Sequence, residues 1–247
     1  MDVYALVLAG GTGLRFSARS YGDGHQDAQI YTTAGTKLDK VIPKQLQMLD
    51  SCSVLERTVD AFGSSEQVDH IVVVMHKEWI SQANNHLRRN SSSKVVDVIE
   101  GGCTRTQSSI LGVKFVRKLA KSNAKVLVHD AVRPFVPQTL IAEIVRELDE
   151  FDAVLPVIPV TQSIIQLDEN ADFVYCERDK YQLVQTPQGF KLDSILAAYD
   201  LFEQADDNFK PTDDMSVLAR YLSTARIKLV EGSPRNKKIT YPSDLHR

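Results

Sequence analysis

Four segments of the sequence carry residue types suited to binding phosphates, and the first is a glycine-rich turn. The apolar run Tyr4 to Leu8 leads directly into Ala9-Gly10-Gly11-Thr12-Gly13-Leu14-Arg15. Glycines let the backbone approach a phosphate and offer it N–H groups, and Arg15 adds a cation where a triphosphate would lie. The segment has neither the G-K-[ST] of a Walker A loop nor the third glycine of a dinucleotide fingerprint. A tight structural turn is the alternative interpretation.

The second segment is Pro43-Lys44-Gln45, at the far end of a long polar stretch that runs from Ser17 to Ile42. A single lysine is usually a solvated surface charge. Here it ends the loop that the glycine turn begins, so Lys44 can return to the same phosphates as Arg15. Two cations placed in this way would offset the charge that develops during phosphoryl or nucleotidyl transfer.

The third and fourth segments each follow a predicted strand. Gly101 to Ser108 places two glycines before a hydroxyl-rich helix start, which is typical of an anion or base site and also of a simply capped helix. In Val128 to Pro134, Asp130 and Arg133 stand at the carboxyl end of a strand, where open α/β sheets bind ligands. A structural salt bridge between these two residues is the alternative. We expect His129 to pack within its strand.

The elements that must position these segments alternate between short β-branched runs and helix-period stretches. This pattern predicts an α/β protein whose mostly parallel sheet has helices on both faces. The predicted strands are Tyr4–Leu8, His70–Met75, Val95–Ile99, Lys125–His129, Ala153–Ile158 and Ile227–Val230. The predicted helices are Val54–Phe62, Glu78–Arg89, Arg105–Lys121, Leu140–Leu148, Leu192–Glu203 and Met215–Tyr221. Because the carboxyl ends of parallel strands share one edge of a sheet, we expect the four segments to converge there.

A second kind of element interrupts this alternation. Ser163–Leu167 and Phe173–Tyr175 flank a turn-rich stretch, which predicts a β-hairpin that projects from the main sheet. A length of 247 residues fits one α/β domain, 1–247, with this β-hairpin arm at about 161–185.

Composition argues against two classes of function, non-specific nucleic-acid binding and membrane association. The formal net charge is −3, which argues against non-specific nucleic-acid binding. The three cysteines are far apart and odd in number, as expected of reduced thiols in a cytosolic compartment. The apolar runs are about five residues long, against roughly twenty needed to cross a bilayer. We therefore expect a cytoplasmic protein that contacts no membrane.

In combination the motifs resemble those of the cytidylyltransferases that make CDP-activated polyols. The likeness is greatest to the 2-C-methyl-D-erythritol 4-phosphate cytidylyltransferase family, and ribitol-5-phosphate cytidylyltransferase shares most of the pattern. The motifs occur in the family's order from Val3 to Leu245: L-A-G-G-T-G-L-R, P-K-Q, G-G-x-x-R-x-x-S, V-H-D-A-V-R-P-F, Q-T-P-Q-G-F, T-D-D and N-K-K-I-T-Y-P-S-D-L.

This resemblance implies a Rossmann-like domain that forms a homodimer through the β-arm. The implied reaction joins CTP and a polyol phosphate into a CDP-polyol and pyrophosphate, with Mg²⁺ as cofactor. Mg²⁺ would be held mainly through the CTP phosphates, with Asp130 as the protein group that faces it.

The resemblance also implies roles for individual residues. Arg15 and Lys44 would be catalytic and stabilise the pentacoordinate α-phosphorus. The nucleotide-binding residues would be Ala9, Gly10, Gly11, Gly13, Gly102, Arg105, Ser108, Asp130, Ala131 and Lys238. The substrate-binding residues would be Arg133, Ser163, Arg178, Thr186 and Thr212, the last of which would reach the neighbouring subunit's site.

The chain departs from the family pattern at two places. The loop Phe16 to Ile42 is longer than usual, and we expect it to form a lid over CTP. Gln162-Ser163 replaces a common Asp-Thr, which bears on the choice of polyol. The segments Leu8 to Gly11 and Asp130 to Arg133 resemble the ribitol branch more. The segments Pro156 to Thr161, Gln185 to Phe190 and Thr212 to Asp214 resemble the methylerythritol branch, so we favour methylerythritol 4-phosphate as the acceptor. Ribitol-5-phosphate cytidylyltransferase, a sugar-1-phosphate nucleotidyltransferase and a non-catalytic CTP sensor are the alternatives.

Overall fold

The computed structural model describes residues 1–11, 30–31, 37–38, 42–90, 93–121 and 123–245, with backbone only at 30–31, 37–38 and 89–90. The strands are β1 (Val3–Ala9), β2 (Ile30–Tyr31), β3 (Lys37–Leu38), β4 (Met48–Leu49), β5 (Cys52–Ser53), β6 (His70–Met75), β7 (Val95–Glu100), β8 (Lys125–Asp130), β9 (Ala153–Pro159), β10 (Ile165–Leu167), β11 (Phe173–Tyr175), β12 (Gln182–Val184), β13 (Gln188–Lys191) and β14 (Ile227–Glu231). The helices are α1 (Val54–Gly63), α2 (Ile80–Asn90), α3 (Arg105–Leu119), α4 (Gln138–Glu147), α5 (Leu192–Gln204) and α6 (Asp214–Tyr221).

The central sheet has β1 in its middle. β1 pairs in parallel with β6 on one side and with β8 on the other, and β7 pairs in parallel with β6. β13 lies antiparallel between β8 and β9, while β14 pairs in parallel with β9. The predicted α/β class with a mostly parallel sheet is therefore confirmed.

Both faces of the sheet are covered, which explains the continuous apolar sequence of β1. Val3, Ala5, Val7 and Ala9 join one core cluster, which includes residues of α1, α2 and α4. Tyr4, Leu6 and Leu8 point to the opposite face and join a cluster with residues of α3, α5 and α6. A strand with two buried faces has no polar side to expose, so its side chains do not alternate in polarity.

The two short strands β12 and β13 are absent from the sequence prediction. β13 reads Gln-Gly-Phe-Lys, which lacks both β-branched residues and alternating polarity. Its Gly189 is needed for packing, because a Cβ there would lie 2.4 Å from Cγ2 of Ile144 in α4. The formation of β13 therefore depends on tertiary contacts, which short-range sequence patterns do not encode.

The predicted hairpin is a separate two-stranded sheet of β10 and β11, with Ile165 opposite Tyr175. In its turn, the Asp168 side chain accepts hydrogen bonds from the backbone N–H groups of Asn170 and Asp172, both at 2.9 Å. Its apolar side chains are exposed, with Tyr175 at 75%. In the described part of the chain, no helix is both long and apolar enough to span a membrane.

Candidate active site

The carboxyl ends of the parallel strands bring the predicted segments together. Leu8 and Asp130 are neighbours in register at the ends of β1 and β8, and the Ala131 N–H donates to the Leu8 carbonyl at 3.0 Å. On the other side, the Gly101 N–H donates to the carbonyl of Met75 at the end of β6, at 2.9 Å. The turns after β1, β7 and β8 therefore lie along one edge of the sheet.

Gln45 attaches the P-K-Q segment to the glycine-rich turn. Its buried side chain donates from Nε2 to the carbonyl oxygens of Ala9 and Gly11, the latter at 3.0 Å. The short 3₁₀ turn Lys44–Leu46 is thereby held against the end of β1. Among the described residues, no heavy atom lies within 4 Å of where a Cβ on Gly11 would stand. Gly13 and Arg15, and most of the loop to which we assign the lid, lie outside the described residues.

Lys44 reaches the same edge from this turn. Its Nζ donates to the carbonyl oxygen of Ile239 at 3.0 Å. Arg133 contacts the same segment of chain, donating to the carbonyl oxygen of Asn236 at 2.7 Å. Two cations that are far apart in sequence are thus anchored to residues three positions apart.

The third predicted segment forms a capped helix start that also holds the glycines. Thr104 caps α3 in a reciprocal pair of hydrogen bonds with Gln107. The buried Ser108 hydroxyl accepts from the Gly102 N–H at 3.1 Å and donates to the Thr104 carbonyl at 2.9 Å. The capped helix and a ligand-binding turn, which the sequence leaves as alternatives, are both compatible with this arrangement.

Arg105 lies between two carboxylates. Its Nε is 3.2 Å from Oδ1 of Asp130, and one guanidinium NH is 2.9 Å from Oδ2 of Asp214. Burial by itself would lower the pKa of Arg105, but the charges of Asp214 and Asp130 raise it. The guanidinium is therefore held charged and in one orientation at the start of α3.

Asp214 in turn is held from its other oxygen. The Tyr199 hydroxyl donates to Oδ1 of Asp214 at 2.7 Å. It therefore accepts a hydrogen bond from the Ser109 hydroxyl, whose Oγ is 2.9 Å away. Burial and the Asp214 carboxylate raise the pKa of Tyr199 well above its ordinary value. A buried chain of partners thus orients Arg105 from behind the site.

Asp130 pairs with two of the predicted nucleotide-binding cations. Its Oδ2 is 2.6 Å from Nζ of Lys238, and its Oδ1 is the partner of Arg105. Burial would raise the pKa of Asp130, but Arg105 and Lys238 lower it well below its usual range. In the described chain the salt bridges of Asp130 are with these two cations, whereas Arg133 binds the Asn236 carbonyl.

His129 packs inside the sheet edge in a fixed neutral form. Its Nε2 is 3.0 Å from the Arg133 carbonyl, which can only accept, so Nε2 carries the hydrogen. Nδ1 then accepts from the Thr186 hydroxyl at 3.1 Å. Burial lowers the pKa of His129 to about 4, so the imidazole is neutral at physiological pH. The structure agrees with a packing role for this residue.

Thr186 also contacts Asp130, and its hydroxyl accepts from the Asp130 N–H at 3.2 Å. Ser163, Arg178 and Thr212 are exposed, and Thr212 lies two residues before Asp214, the partner of Arg105. Arg178, in a 3₁₀ turn near the arm, contacts the Thr161 carbonyl at 3.4 Å. The substrate contacts expected of these four residues stay predictions.

Several residues with structural roles at the site were not singled out from the sequence. Gln45, Asp214 and Asn236 each belong to a motif that was recognised, P-K-Q, T-D-D or N-K-K, whereas Tyr199 belongs to none. For the first three, the signal was therefore present at the level of the motif. Which member of a motif is buried depends on contacts with distant elements.

The described residues contain no group of three His, Cys, Asp or Glu side chains arranged to hold a metal ion. Mg²⁺ is commonly bound through one or two carboxylates together with substrate phosphates. Asp130 is an anionic carboxylate of this kind at the sheet edge; it is largely buried, and its two oxygens also pair with Arg105 and Lys238.

Comparison with known proteins identifies relatives. The family model for 2-C-methyl-D-erythritol 4-phosphate cytidylyltransferase (IspD) matches residues 31–247. A protein of that name from Thermobifida fusca is 35% identical over 216 residues, which cover 85% of this chain and 86% of the relative. The bifunctional ribulose 5-phosphate reductase/CDP-ribitol pyrophosphorylase Bcs1 of Haemophilus influenzae is 30% identical over 213 residues, 85% of this chain and 44% of that protein.

Solved structures agree with these sequence matches. The crystal structure of Francisella tularensis 2-C-methyl-D-erythritol 4-phosphate cytidylyltransferase superposes with a TM-score of 0.74 at 26% identity, covering 99% of this chain and 97% of that one. The resemblance drawn from the motifs is therefore confirmed. The chain belongs to the 2-C-methyl-D-erythritol 4-phosphate cytidylyltransferase family.

Proposed function

We propose that this chain transfers CMP from CTP to 2-C-methyl-D-erythritol 4-phosphate, giving CDP-methylerythritol and pyrophosphate for isoprenoid precursor synthesis. The observation that carries the proposal is the cluster of Arg105, Asp130 and Lys238 beside the glycine-rich turn. Lys44 and Arg133 approach the same edge through the 236–239 segment. Such a cluster suits two negatively charged reactants that must be held together.

The chemistry asks for positioning and charge compensation. A phosphate oxygen of the polyol phosphate forms a bond to the α-phosphorus of CTP, and the bond to the pyrophosphate oxygen breaks. A phosphate monoester with a second pKa near 6 is about nine-tenths dianionic at neutral pH, so it needs no general base. His129 agrees with that expectation, because both of its ring nitrogens are hydrogen-bonded within the protein and burial lowers its pKa to about 4.

Each cation has a proposed task in this reaction. Lys44, together with Arg15, offsets the charge that develops on the α-phosphate. Arg133 binds the phosphate of the polyol, and Lys238 lies where it can contact both reactants. Arg105, oriented by Asp214, binds near the nucleotide at the start of α3.

Mg²⁺ is the proposed cofactor, held through the CTP phosphates with Asp130 as the protein ligand. When bound, it supplies further neutralisation of phosphate charge. Removing divalent ions with EDTA should abolish turnover, and adding Mg²⁺ back should restore it. Full activity in EDTA would refute the cofactor assignment.

The proposed assembly is a homodimer formed through the arm. The arm strands expose Phe173, Val174 and Tyr175 at 58%, 62% and 75% of their surfaces, an apolar patch of the kind that marks interaction sites. Val174→Asp should then convert the dimer to a monomer in light scattering, whereas Lys118→Asp on α3 should not. A wild-type monomer at working concentration would refute the assembly.

The proposed location is the cytoplasm. The three cysteines, Cys52, Cys103 and Cys176, are all free thiols, as is usual in a reducing compartment. Fractionation of cells that express the chain should place it in the cytosolic fraction.

The acceptor distinguishes methylerythritol 4-phosphate cytidylyltransferase from the CDP-ribitol pyrophosphorylase that is also among the relatives. Steady-state pyrophosphate release should be measured with CTP, Mg²⁺ and either methylerythritol 4-phosphate or ribitol 5-phosphate. We expect the larger kcat/KM with methylerythritol 4-phosphate. A larger value with ribitol 5-phosphate would favour the alternative represented by the Haemophilus relative, and CTP binding without pyrophosphate release would favour a sensor.

A further inference from the structure

We propose that Gln185 is a positioning residue: its buried side-chain amide fixes the segment 233–239 and so holds Lys44, Arg133 and Lys238 at the phosphate-binding edge. The inference rests on the proposed function in that these cations act on phosphates. Gln185 itself contacts no predicted ligand position, so its effect must pass through the segment that it holds.

The amide of Gln185 pairs with the backbone of Ser233. Its Nε2 donates to the Ser233 carbonyl at 2.9 Å, and its Oε1 accepts from the Ser233 N–H at 3.0 Å. The side chain is 4% exposed, so these bonds are made away from competing water. Gly232 permits the close approach, because a Cβ there would stand 2.7 Å from Oε1 of Gln185.

Asn236 extends this arrangement by one turn of chain. It is fully buried and donates from Nδ2 to the Thr186 carbonyl at 2.7 Å and to Oε1 of Gln185 at 3.3 Å. Gln185 and Thr186 therefore hold the segment through hydrogen bonds at two positions, Ser233 and Asn236. At its far end, the Ile239 N–H donates to the Val132 carbonyl at 2.8 Å, and the Ile239 side chain is buried.

Between these anchors the segment meets all three cations. Arg133 donates to the carbonyl of Asn236, Lys44 donates to the carbonyl of Ile239, and Lys238 lies within the segment and pairs with Asp130. A shift of the segment would displace the two carbonyl acceptors and the Lys238 backbone together. One buried amide thus acts on three phosphate-binding groups.

Substitution of Gln185 by methionine tests the inference, because methionine has a similar volume and cannot make the two hydrogen bonds with the Ser233 backbone. We expect a loss of about a hundredfold in kcat/KM, the scale of a ~1 Å misplacement of catalytic groups. CTP affinity, measured by calorimetry with Mg²⁺, should weaken as well. Amide hydrogen exchange should become faster in 233–239.

Lys125→Met is the matched control. Lys125 is also buried and also loses hydrogen bonds on substitution, to the Val145 carbonyl and to Asp149. It lies at the opposite end of β8 from Asp130, and the rise per residue of a strand places the two about 17 Å apart. Its variant should lose thermal stability while keeping wild-type kcat/KM, CTP affinity and exchange in 233–239.

The double variant Gln185→Met/Asn236→Ala should lose no more activity than Gln185→Met alone, because both residues act through one segment. If Gln185→Met does not fold, Asn236→Ala carries the same test. Wild-type kinetics and CTP affinity in folded Gln185→Met, or equal kinetic losses in Lys125→Met, would overturn the inference. Wild-type protein that binds CTP without transferring CMP would instead refute the proposed function, and the affinity and exchange measurements would still decide the role of Gln185.

Discussion

The Nζ of Lys238 lies 2.6 Å from Oδ2 of Asp130, although 108 residues separate them in the chain. The other oxygen of the same carboxylate is 3.2 Å from Nε of Arg105. One carboxylate therefore orients two cations from distant parts of the chain, one of them at the start of α3. The expected outcomes of removing individual members follow from this arrangement.

Lys44→Ala should lower kcat by about a hundredfold, or about 2.7 kcal/mol of transition-state stabilisation, if Lys44 offsets charge on the α-phosphate. Arg15→Ala should lower kcat by a similar factor. Steady-state pyrophosphate release measures both. Lys118→Ala, which removes an exposed lysine in the last turn of α3, is the control and should behave as wild type. Near-wild-type turnover in Lys44→Ala would contradict its catalytic role.

Lys238→Gln should raise the KM for CTP by about tenfold, the equivalent of one hydrogen bond to a charged group. The neighbouring Lys237 is exposed and provides the comparison. Lys237→Gln should leave the KM for CTP unchanged. Equal effects of the two substitutions would mean that only net charge matters at this segment.

Asp214→Asn should both destabilise the protein and weaken CTP binding. The substitution keeps the shape of the side chain but removes the charge that faces Arg105 at 2.9 Å, and we expect a loss of about 2 kcal/mol in unfolding free energy. Urea denaturation and calorimetry with CTP measure the two effects. If CTP affinity stays at the wild-type value despite the lost stability, Asp214 does not position Arg105 for the nucleotide.

Stability should fall as the pH is lowered from about 6.5 to about 4. Burial lowers the folded-state pKa of His129 from 6.5 to about 4, so in this window the unfolded chain binds the proton and the folded chain does not. The contribution of His129 is complete above the unfolded value, and about 3 kcal/mol is lost by the time the pH reaches the folded value.

The measurement is urea unfolding at a series of pH values for the wild type and for His129→Gln. The unfolding free energy of His129→Gln should fall less steeply than that of the wild type between pH 6.5 and pH 4. Carboxyl groups whose pKa is lowered in the folded state, such as Asp130 and Glu56, add to the loss at the acid end of this window in both proteins, so the difference between the two profiles reports His129. Parallel pH profiles for the two proteins would show that His129 is not protonated preferentially in the unfolded state.

Much of the architecture follows from the sequence because it depends on local pattern. The apolar runs of β1, β6 and β8 are long enough to be read as buried strands, and a capping box begins α1 at Ser53. The edge of the sheet where the motifs meet follows from parallel pairing alone. Lys44 and Arg133 accordingly contact the same short segment.

What the sequence does not predict depends on pairs distant in the chain. The fully buried carboxylate of Asp214 is stabilised by Arg105, 109 residues away, and by Tyr199, and nothing local in the sequence distinguishes Asp214 from Asp213. Gln45 follows a conspicuous lysine, yet its amide makes the contact with the glycine-rich turn. Similarly, β13 exists because β8 and β9 flank it, not because its residues favour a strand.

A crystal structure with CTP and Mg²⁺ tests the central claim most directly, namely that these distant loops form one site for the nucleotide. We predict the triphosphate against the Gly10–Gly11 backbone, within hydrogen-bonding distance of Lys44 and Lys238, with the base near Arg105. CTP bound elsewhere, with Lys44 and Lys238 both out of contact with phosphate, would contradict the account.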